Sequence, residues 1–394
     1  MRNKKTLIIS MLISIMVTSQ TLDATEAKKT ESIAATARSY VLIEEASGKV
    51  LLDHNKDEAL PPASITKIMT LLLINDAIAS GKITWDDKVT ISEHAAHMGG
   101  SQVFMEPGEE QTVRDLVKCI CIASANDAAV AMGEYIAGSE EQFVEMMNRR
   151  AKELGMQHTI FKNACGLHAE GHVSTAYDIS LMSRELMLKY PEMSKVLTIW
   201  MDTITHKTRR GESEFGLSNT NKMIKWYKGI TGLKTGYTPE AKHCVSATAT
   251  RNGMGLIAVV MGSENGKIRF QEAGQLLDYG FANYTVKTGP PIGTVVGRID
   301  VKKGDKMFAE GVTEQTKAFV VAKDHAGAEL TYEVKYNDTV SAPIQKGEQI
   351  GTITYYLDGA HVGEAPIVAA YDIGKAKLND MIFYMYKRYF SVAK

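Results

Sequence analysis

The sequence predicts an α/β (α+β) domain with a helical subdomain, followed by a small all-β sandwich domain and a C-terminal amphipathic helix. Three observations carry that expectation. Strand-like runs stand near both ends of the longer, N-terminal part of the chain, with helical periodicity between them, so one sheet should join early and late segments. Beyond Gly289-Pro290-Pro291 the texture changes to short β-rich runs separated by turns. The final stretch, Lys375 to Lys394, is amphipathic when wound as a helix.

The chain opens with a cationic start, Met1 to Lys5, an apolar run from Leu7 to Val17 and small polar residues up to Ala24 or Ala27. This is the order of a secretory signal, and the apolar run is shorter than the roughly 20 residues a membrane span needs. Residues 1–27 are therefore expected to be a signal peptide, and the mature protein to work outside the cytoplasmic membrane. Next, Tyr40 to Glu44 and Lys49 to Leu52 read as a hairpin closed by Ala46-Ser47-Gly48. Pro61-Pro62 halts the chain before a buried helix from Ile65 to Ile78, with Gly81 past its end. Val113 to Tyr135 and Glu140 to Leu154 carry helical spacing throughout. His243 to Thr250 and Leu256 to Met261 are strands joined by a turn at Arg251-Asn252-Gly253, and Lys267 to Ala282 is a closing helix. The expected main domain is 28–286. Residues 287–374 form the small β-rich domain, with turns at Lys303-Gly304-Asp305, Tyr336-Asn337-Asp338 and Leu357-Asp358-Gly359.

At 394 residues the chain exceeds one ordinary domain, and 44% hydrophobic with 23% charged residues is a globular balance. With 45 Lys+Arg against 46 Asp+Glu, no net positive field exists to capture nucleic acid. Cys119, Cys121, Cys165 and Cys244 lack metal-ligand spacing and read as unpaired, mostly buried thiols, with a long-range disulfide as the alternative that export allows. In the terminal segment Leu378, Met381, Ile382, Met385, Tyr386, Tyr389 and Val392 share one face opposite a mainly basic one. Such a helix suits an anionic membrane surface or the protein's own body.

Three short motifs carry chemistry. Ser64-Ile65-Thr66-Lys67 opens the buried helix, so a hydroxyl and an amine three residues apart share a helix face. The helix mouth offers N–H groups where an oxyanion forms, and a serine nucleophile needs a neighbouring base. Lys67 serves as that base only if burial or a nearby cation favours its neutral form. Alone, the motif recurs by chance, and Ser64 could simply cap the helix. Ser124-Ala125-Asn126, followed by Asp127, supplies a hydroxyl relay and an amide that can donate to and accept from a peptide group. Lys234-Thr235-Gly236 sets a cation and a hydroxyl on one strand to hold a carboxylate, while Gly236 lets a substrate backbone approach.

Together these motifs supply nucleophile, base, relay and carboxylate anchor, a combination that recurs in class A β-lactamases and penicillin-binding proteins, with Asp where Ala125 stands here. With the blocks around Pro62-Ala63-Ser64, Leu154-Gly155-Met156, Ala176-Tyr177-Asp178 and Gly232-Leu233-Lys234, the sequence resembles the low-molecular-mass penicillin-binding proteins of the serine-type D-alanyl-D-alanine carboxypeptidase family. The resemblance implies a serine β-lactamase/DD-peptidase-like fold and removal of the terminal D-alanine from peptidoglycan stems. It makes Ser64 the acylated nucleophile, Lys67 the proton acceptor and Ser124 the relay. It makes Asn126, Lys234, Thr235 and Gly236 substrate-binding residues, and the backbone N–H groups of Ser64 and Tyr237 the oxyanion hole. It also implies β-lactams as covalent inhibitors, contact with a membrane surface through the terminal helix, and neither a cofactor nor a metal.

His168 and His172, near Cys165-Gly166-Leu167, are expected as loop or substrate-contact residues, not catalysts. Glu93, His94 and His97 read as a solvated helix face, because a zinc site needs further ligands, and Arg209-Arg210 reads as a solvated loop. Two alternatives stand beside the main reading. A class A-like β-lactamase needs a deacylating glutamate, for which no clear counterpart is found; a non-catalytic penicillin-binding scaffold should have damaged motifs, and all three are intact.

Overall fold

The computed structural model describes residues 36–209, 211–337, 340–378 and 382. The expected signal, 1–27, lies outside the described residues. So does most of the expected terminal helix; Lys375 is still extended, bridged to Gly304, and helical structure starts no earlier than Leu378. Contacts divide the chain into two units, Met1–Phe281 and Ala282–Lys394.

In the first unit, strands β1 (Ser39–Glu44) and β2 (Val50–His54) form the expected hairpin. A 3₁₀ turn at Ala63–Thr66 then leads into helix α1 (Lys67–Ala79), so Ser64 stands just ahead of the α-helix proper. Ten of the residues of α1 from Lys67 to Ala77 are buried, and the helix runs through the core. Val113 to Tyr135 is not one helix, contrary to its periodicity. It divides into α2 (Val113–Lys118), a wide π turn (Cys119–Ala123) and α3 (Asn126–Ala137). The break falls at Ser124, whose φ of 62° is left-handed, a conformation costing about 1–3 kcal/mol outside glycine. A hydrogen bond from Ala125 N to Cys119 O, 3.1 Å, closes the turn and holds Ser124 there.

Helix α4 (Glu140–Glu153) starts at Ser139, which accepts from Gln142 N, and α5 (Ala176–Lys189) starts at Thr175, which accepts from Asp178 N. The ribbon of β3 (Met201–Thr208) and β4 (Gly211–Ser218) was not expected. Its residues are mostly polar and exposed, so they carry no alternating apolar signal. Strands β5 (Ile230–Thr238), β6 (Lys242–Arg251) and β7 (Met254–Ser263) complete an antiparallel sheet in the order β2-β1-β7-β6-β5. The tight β6–β7 turn places Asn252 and Gly253 at φ 51° and 77°, the handedness that matches strand twist. Helix α6 (Ile268–Asn283) follows. The early and late strands thus share one sheet, and β5 is its edge.

The second unit holds β8 (Tyr284–Thr288), β9 (Val295–Lys302), β10 (Phe308–Thr313), β11 (Ala318–Ala322), β12 (Leu330–Tyr336), β13 (Val340–Ser341), β14 (Gln349–Leu357) and β15 (Ala360–Ala369). Six of them form a sheet in the order β12-β14-β15-β10-β9-β13, while β8 pairs with β11. Tyr355, Ile353 and Ile367 lie at the centre of its core.

The largest apolar side chain buried in the helical part is Phe143 of α4, whose ring fits against Gly133 of α3 so closely that a Cβ there would lie 2.9 Å away. Phe143→Ala is expected to lower unfolding free energy by about 3–5 kcal/mol, read from the urea midpoint, because the surrounding helices can refill the void only in part.

Candidate active site

Edge strand β5 packs directly on the turn that carries Ser64, and glycines make this possible. A Cβ on Gly236 would lie 2.9 Å from Pro62 O and 3.1 Å from the Ala63 side chain. Gly236 was expected to admit a substrate backbone; the structure shows that it admits the turn that carries Ser64. On the other side, a Cβ on Gly166 would meet Ala63 O at 1.9 Å, and Gly166 has a φ of 85°. Asn163 Oδ1 receives Gly166 N at 2.6 Å, and Thr70 Oγ1 donates to Ala164 O at 2.6 Å, so this loop is bound to α1. Ser64 is thereby clamped between a strand and a loop.

Lys67 Nζ lies 3.0 Å from Ser64 Oγ. It also contacts Asn126 Oδ1 at 2.5 Å and Cys165 O at 2.7 Å. The side chain has no solvent exposure, and burial lowers its pKa to about 8, against the opposing influence of Cys165 and Asp127. Two fixed acceptors take two N–H bonds of the amine, which leaves its third position, a lone pair when neutral, directed to the serine. Asn126 is held in turn, Nδ2 donating to Gly99 O at 2.6 Å and its backbone N to Ser101 O at 2.7 Å. The oxygen of the Asn126 amide, a group expected to bind substrate, is thus committed to Lys67. Asp127, buried and acid-weakened by that burial, accepts from Val103 N and Met105 N and pins the same loop.

A second amine–hydroxyl pair stands beside the first. Lys234 Nζ donates to Ser124 Oγ at 2.8 Å and to Thr235 O at 3.2 Å. Burial pushes the Lys234 amine well below its ordinary range, and the Lys67 charge adds to the effect. The left-handed turn at Ser124 therefore has a function in the fold: it delivers the hydroxyl to the strand lysine. Thr235 Oγ1 donates to Thr220 Oγ1 at 2.8 Å. Tyr237, one residue beyond Gly236, is exposed and stacks on His243 with ring centroids 4.4 Å apart.

Two contributors were not read from the sequence. Thr220 lies in Asn219-Thr220-Asn221, which looks like any polar loop; its placement comes from Asn219 and Asn221, which bond the backbone at Leu197, Ile199 and Gly232. Arg269 of α6 sends Nη1 to Gly236 O at 2.8 Å and Cys244 O at 3.2 Å. Its pKa is lowered to about 10 by burial, and no carboxylate partner appears among the described residues. An arginine inside a helix carries no sequence mark of such a bond.

Other expectations fall elsewhere. His172 is not a substrate contact: it is buried beneath the turn that carries Ser64, Nε2 3.0 Å from Thr66 Oγ1 and its ring against Phe161. His168 is exposed, 3.8 Å from Glu240. His94 faces Glu134 and Glu140, and among the described residues no group of His, Cys, Asp and Glu is arranged to hold a metal. All four cysteines are free and buried, as their spacing suggested. Arg210 lies outside the described residues.

The profile described as D-alanyl-D-alanine carboxypeptidase matches residues 24–265. The chain belongs to the D-alanyl-D-alanine carboxypeptidase family. Residues 290–375 of this family member match the profile of the penicillin-binding protein 5 C-terminal domain. Among its relatives, D-alanyl-D-alanine carboxypeptidase DacF of Bacillus subtilis is 45% identical over 375 residues, covering 94% of this chain and 95% of the relative. DacC of Escherichia coli is 35% identical over 353 residues, covering 86% and 84%. The solved structure of penicillin-binding protein 5 from Haemophilus influenzae superposes with a TM-score of 0.71 at 31% identity, covering 86% of this chain and 98% of that one. The carboxypeptidase is thus a hydrolase of the penicillin-binding family, and the matches support this reading over the β-lactamase and scaffold alternatives.

His172 supplies a pH test of the site's foundation. Burial, with Lys162 and His168 adding, lowers its pKa from 6.5 to about 4. Between those values the unfolded chain binds a proton that the folded one does not, so stability rises with pH across this window and is lost as pH falls through it. The wild type should lose more stability than His172→Gln between pH 7 and pH 4, measured by urea unfolding at both.

Proposed function

We propose that this carboxypeptidase removes the terminal D-alanine of peptidoglycan stem peptides through an ester on Ser64. One observation carries the reading: a fully buried amine, its pKa lowered to about 8, stands 3.0 Å from the serine hydroxyl. Neutral Lys67 takes the Ser64 proton as Oγ attacks the carbonyl between the two D-alanines. The backbone N–H groups of Ser64 and Tyr237 receive the developing oxyanion. Collapse breaks the C–N bond, and the proton passes from Lys67 by way of Ser124 to the departing amine. Water then attacks the ester, gives its proton to Lys67, and releases the shortened stem with Ser64 restored.

Lys234 holds the terminal carboxylate by charge, Thr235 by its hydroxyl, and Asn126 orients Lys67 while its remaining N–H serves the stem amide. A bound carboxylate reverses the desolvation that depresses Lys234, so that lysine is charged when substrate is present. β-Lactams that enter as mimics of the D-alanyl terminus acylate the same oxygen. The functional setting is the exported one: the outer face of the cytoplasmic membrane or the wall, with the basic amphipathic stretch 375–394 as the membrane-surface contact.

Intact-protein mass spectrometry after penicillin treatment should show one adduct that peptide mapping places on Ser64 and that Ser64→Ala abolishes. An adduct surviving in Ser64→Ala overturns the assignment. Since only the neutral amine accepts a proton, kcat/KM for D-alanine release should rise with pH through a midpoint near 8, the value burial gives Lys67. Lys67→Arg, which stays protonated, should lose at least about a thousandfold.

A further inference from the structure

The loop from Gly99 to Glu109 is the frame of Asn126. Gly99 O accepts from Asn126 Nδ2 at 2.6 Å, and Ser101 O accepts from Asn126 N at 2.7 Å. Two residues on, the N–H groups of Val103 and Met105 converge on the Asp127 carboxylate at 3.1 and 3.4 Å. Phe104 between them has a φ of 61°, and this left-handed residue turns both N–H groups toward one anion. Glycine adopts that conformation without strain and phenylalanine does not, which makes the destination of its side chain informative. The ring is 64% exposed and reaches Phe215 of β4, edge-on, with centroids 6.1 Å apart.

A second tie joins the same loop to the same ribbon. The Glu109 side chain has no solvent exposure. Its Oε2 accepts from Glu106 N at 2.9 Å and closes the end of the loop, while Oε1 accepts from Gln111 Nε2 at 2.7 Å and stands 2.8 Å from Nδ1 of His206 in β3. Opposite a carboxylate oxygen, Nδ1 carries the proton and donates. Gln111 Nε2 also donates to Thr205 O at 2.9 Å. Within the ribbon Ile204 pairs with Phe215, so His206 is a diagonal neighbour of Phe215, and their rings meet edge-on at 5.5 Å. The aromatic tie and the carboxylate tie are thus one assembly. A buried carboxylate keeps its place only while its donors are present.

We propose that His206 is a positioning residue for the reaction at Ser64. Its Nδ1–H holds Glu109, Glu109 holds the loop, and the loop holds the Asn126 oxygen that accepts from Lys67 at 2.5 Å. The ribbon β3–β4 therefore sets the direction of the Lys67 amine without touching substrate. The inference deepens the acyl-enzyme reading of the Ser64–Lys67 pair and rests on it. A displaced acceptor lets the amine turn away from Ser64, which slows proton transfer and leaves Lys234 and Thr235 in place to bind the peptide end.

His206→Phe keeps a ring against Phe215 and removes the donor. With a synthetic peptide ending in D-Ala-D-Ala, and with active sites counted by the mass of the penicillin adduct, this variant should release D-alanine with a kcat about ten- to a hundredfold lower and a KM within about twofold of wild type. His206→Asn, whose Nδ2 stands where Nδ1 stood, should recover kcat to within about threefold of wild type. A role confined to stability gives another pattern: His206→Phe lowers the urea midpoint but not kcat per active site, and that result overturns the proposal. An Asn variant as slow as the Phe variant overturns it too. If His206→Phe does not fold, Glu109→Gln decides in its place, because its amide sets an NH₂ against a donor; the same fall in kcat is expected, and an unchanged kcat overturns the proposal. Release of D-alanine by wild type with no ester on Ser64 overturns the acyl-enzyme reading instead.

Discussion

One buried amine organises this protein. Lys67 can exist without charge compensation only because Asn126 Oδ1 and Cys165 O accept from it, and each of those acceptors belongs to a different part of the chain. Placing an amine in an apolar interior without partners costs several kcal/mol, so the elements that deliver the two oxygens are under strong constraint. The π turn and left-handed Ser124 precede Asn126, and the glycine-centred loop at Gly166 follows Cys165. Much of the irregular backbone in the first unit thus serves one nitrogen atom.

The same economy explains the pairing of two lysines with two serines. Lys67 with Ser64 and Lys234 with Ser124 form parallel amine–hydroxyl contacts, 3.0 Å and 2.8 Å long. Burial opposes protonation of both amines, and at Lys234 the charge of Lys67 adds to the effect. The strand lysine meets the hydroxyl of the π-turn serine, the helix lysine that of the serine one turn before it. Thr220 and Arg269 brace the strand at successive residues, one at Thr235 and one at Gly236.

Much of this was legible in the residues. Hydrophobic periodicity located α4, the prolines and Gly81 bracketed α1, β-branched runs around a turn gave the β6–β7 hairpin, and the motifs at Ser64, Ser124 and Lys234 named groups that the fold does bring together. Periodicity could not show the break at Ser124, because the apolar pattern of Ile120, Ile122 and Val130 continues across it while the backbone does not. Nor could it show the β3–β4 ribbon, whose outward residues are polar on both sides. Thr220 and Arg269 escaped for another reason: each acts through a single contact that only the folded chain creates. His172 looked like part of a cleft loop because its neighbours are; burial against Phe161 and Thr66 is a property of packing, not of local composition.

The bare Cα positions of Gly166 and Gly236 carry one more implication. The turn that carries Ser64 is located in part by what those residues lack, so excluded volume adds to the hydrogen bonds that hold the Gly166 loop on α1. Drift in this chain can exchange one polar rim group for another, yet a single methyl group at either point pushes the backbone at Pro62 or Ala63 aside. The hydroxyl's aim is thereby tied to steric bulk, a quantity that conservative chemistry elsewhere in the cleft cannot restore.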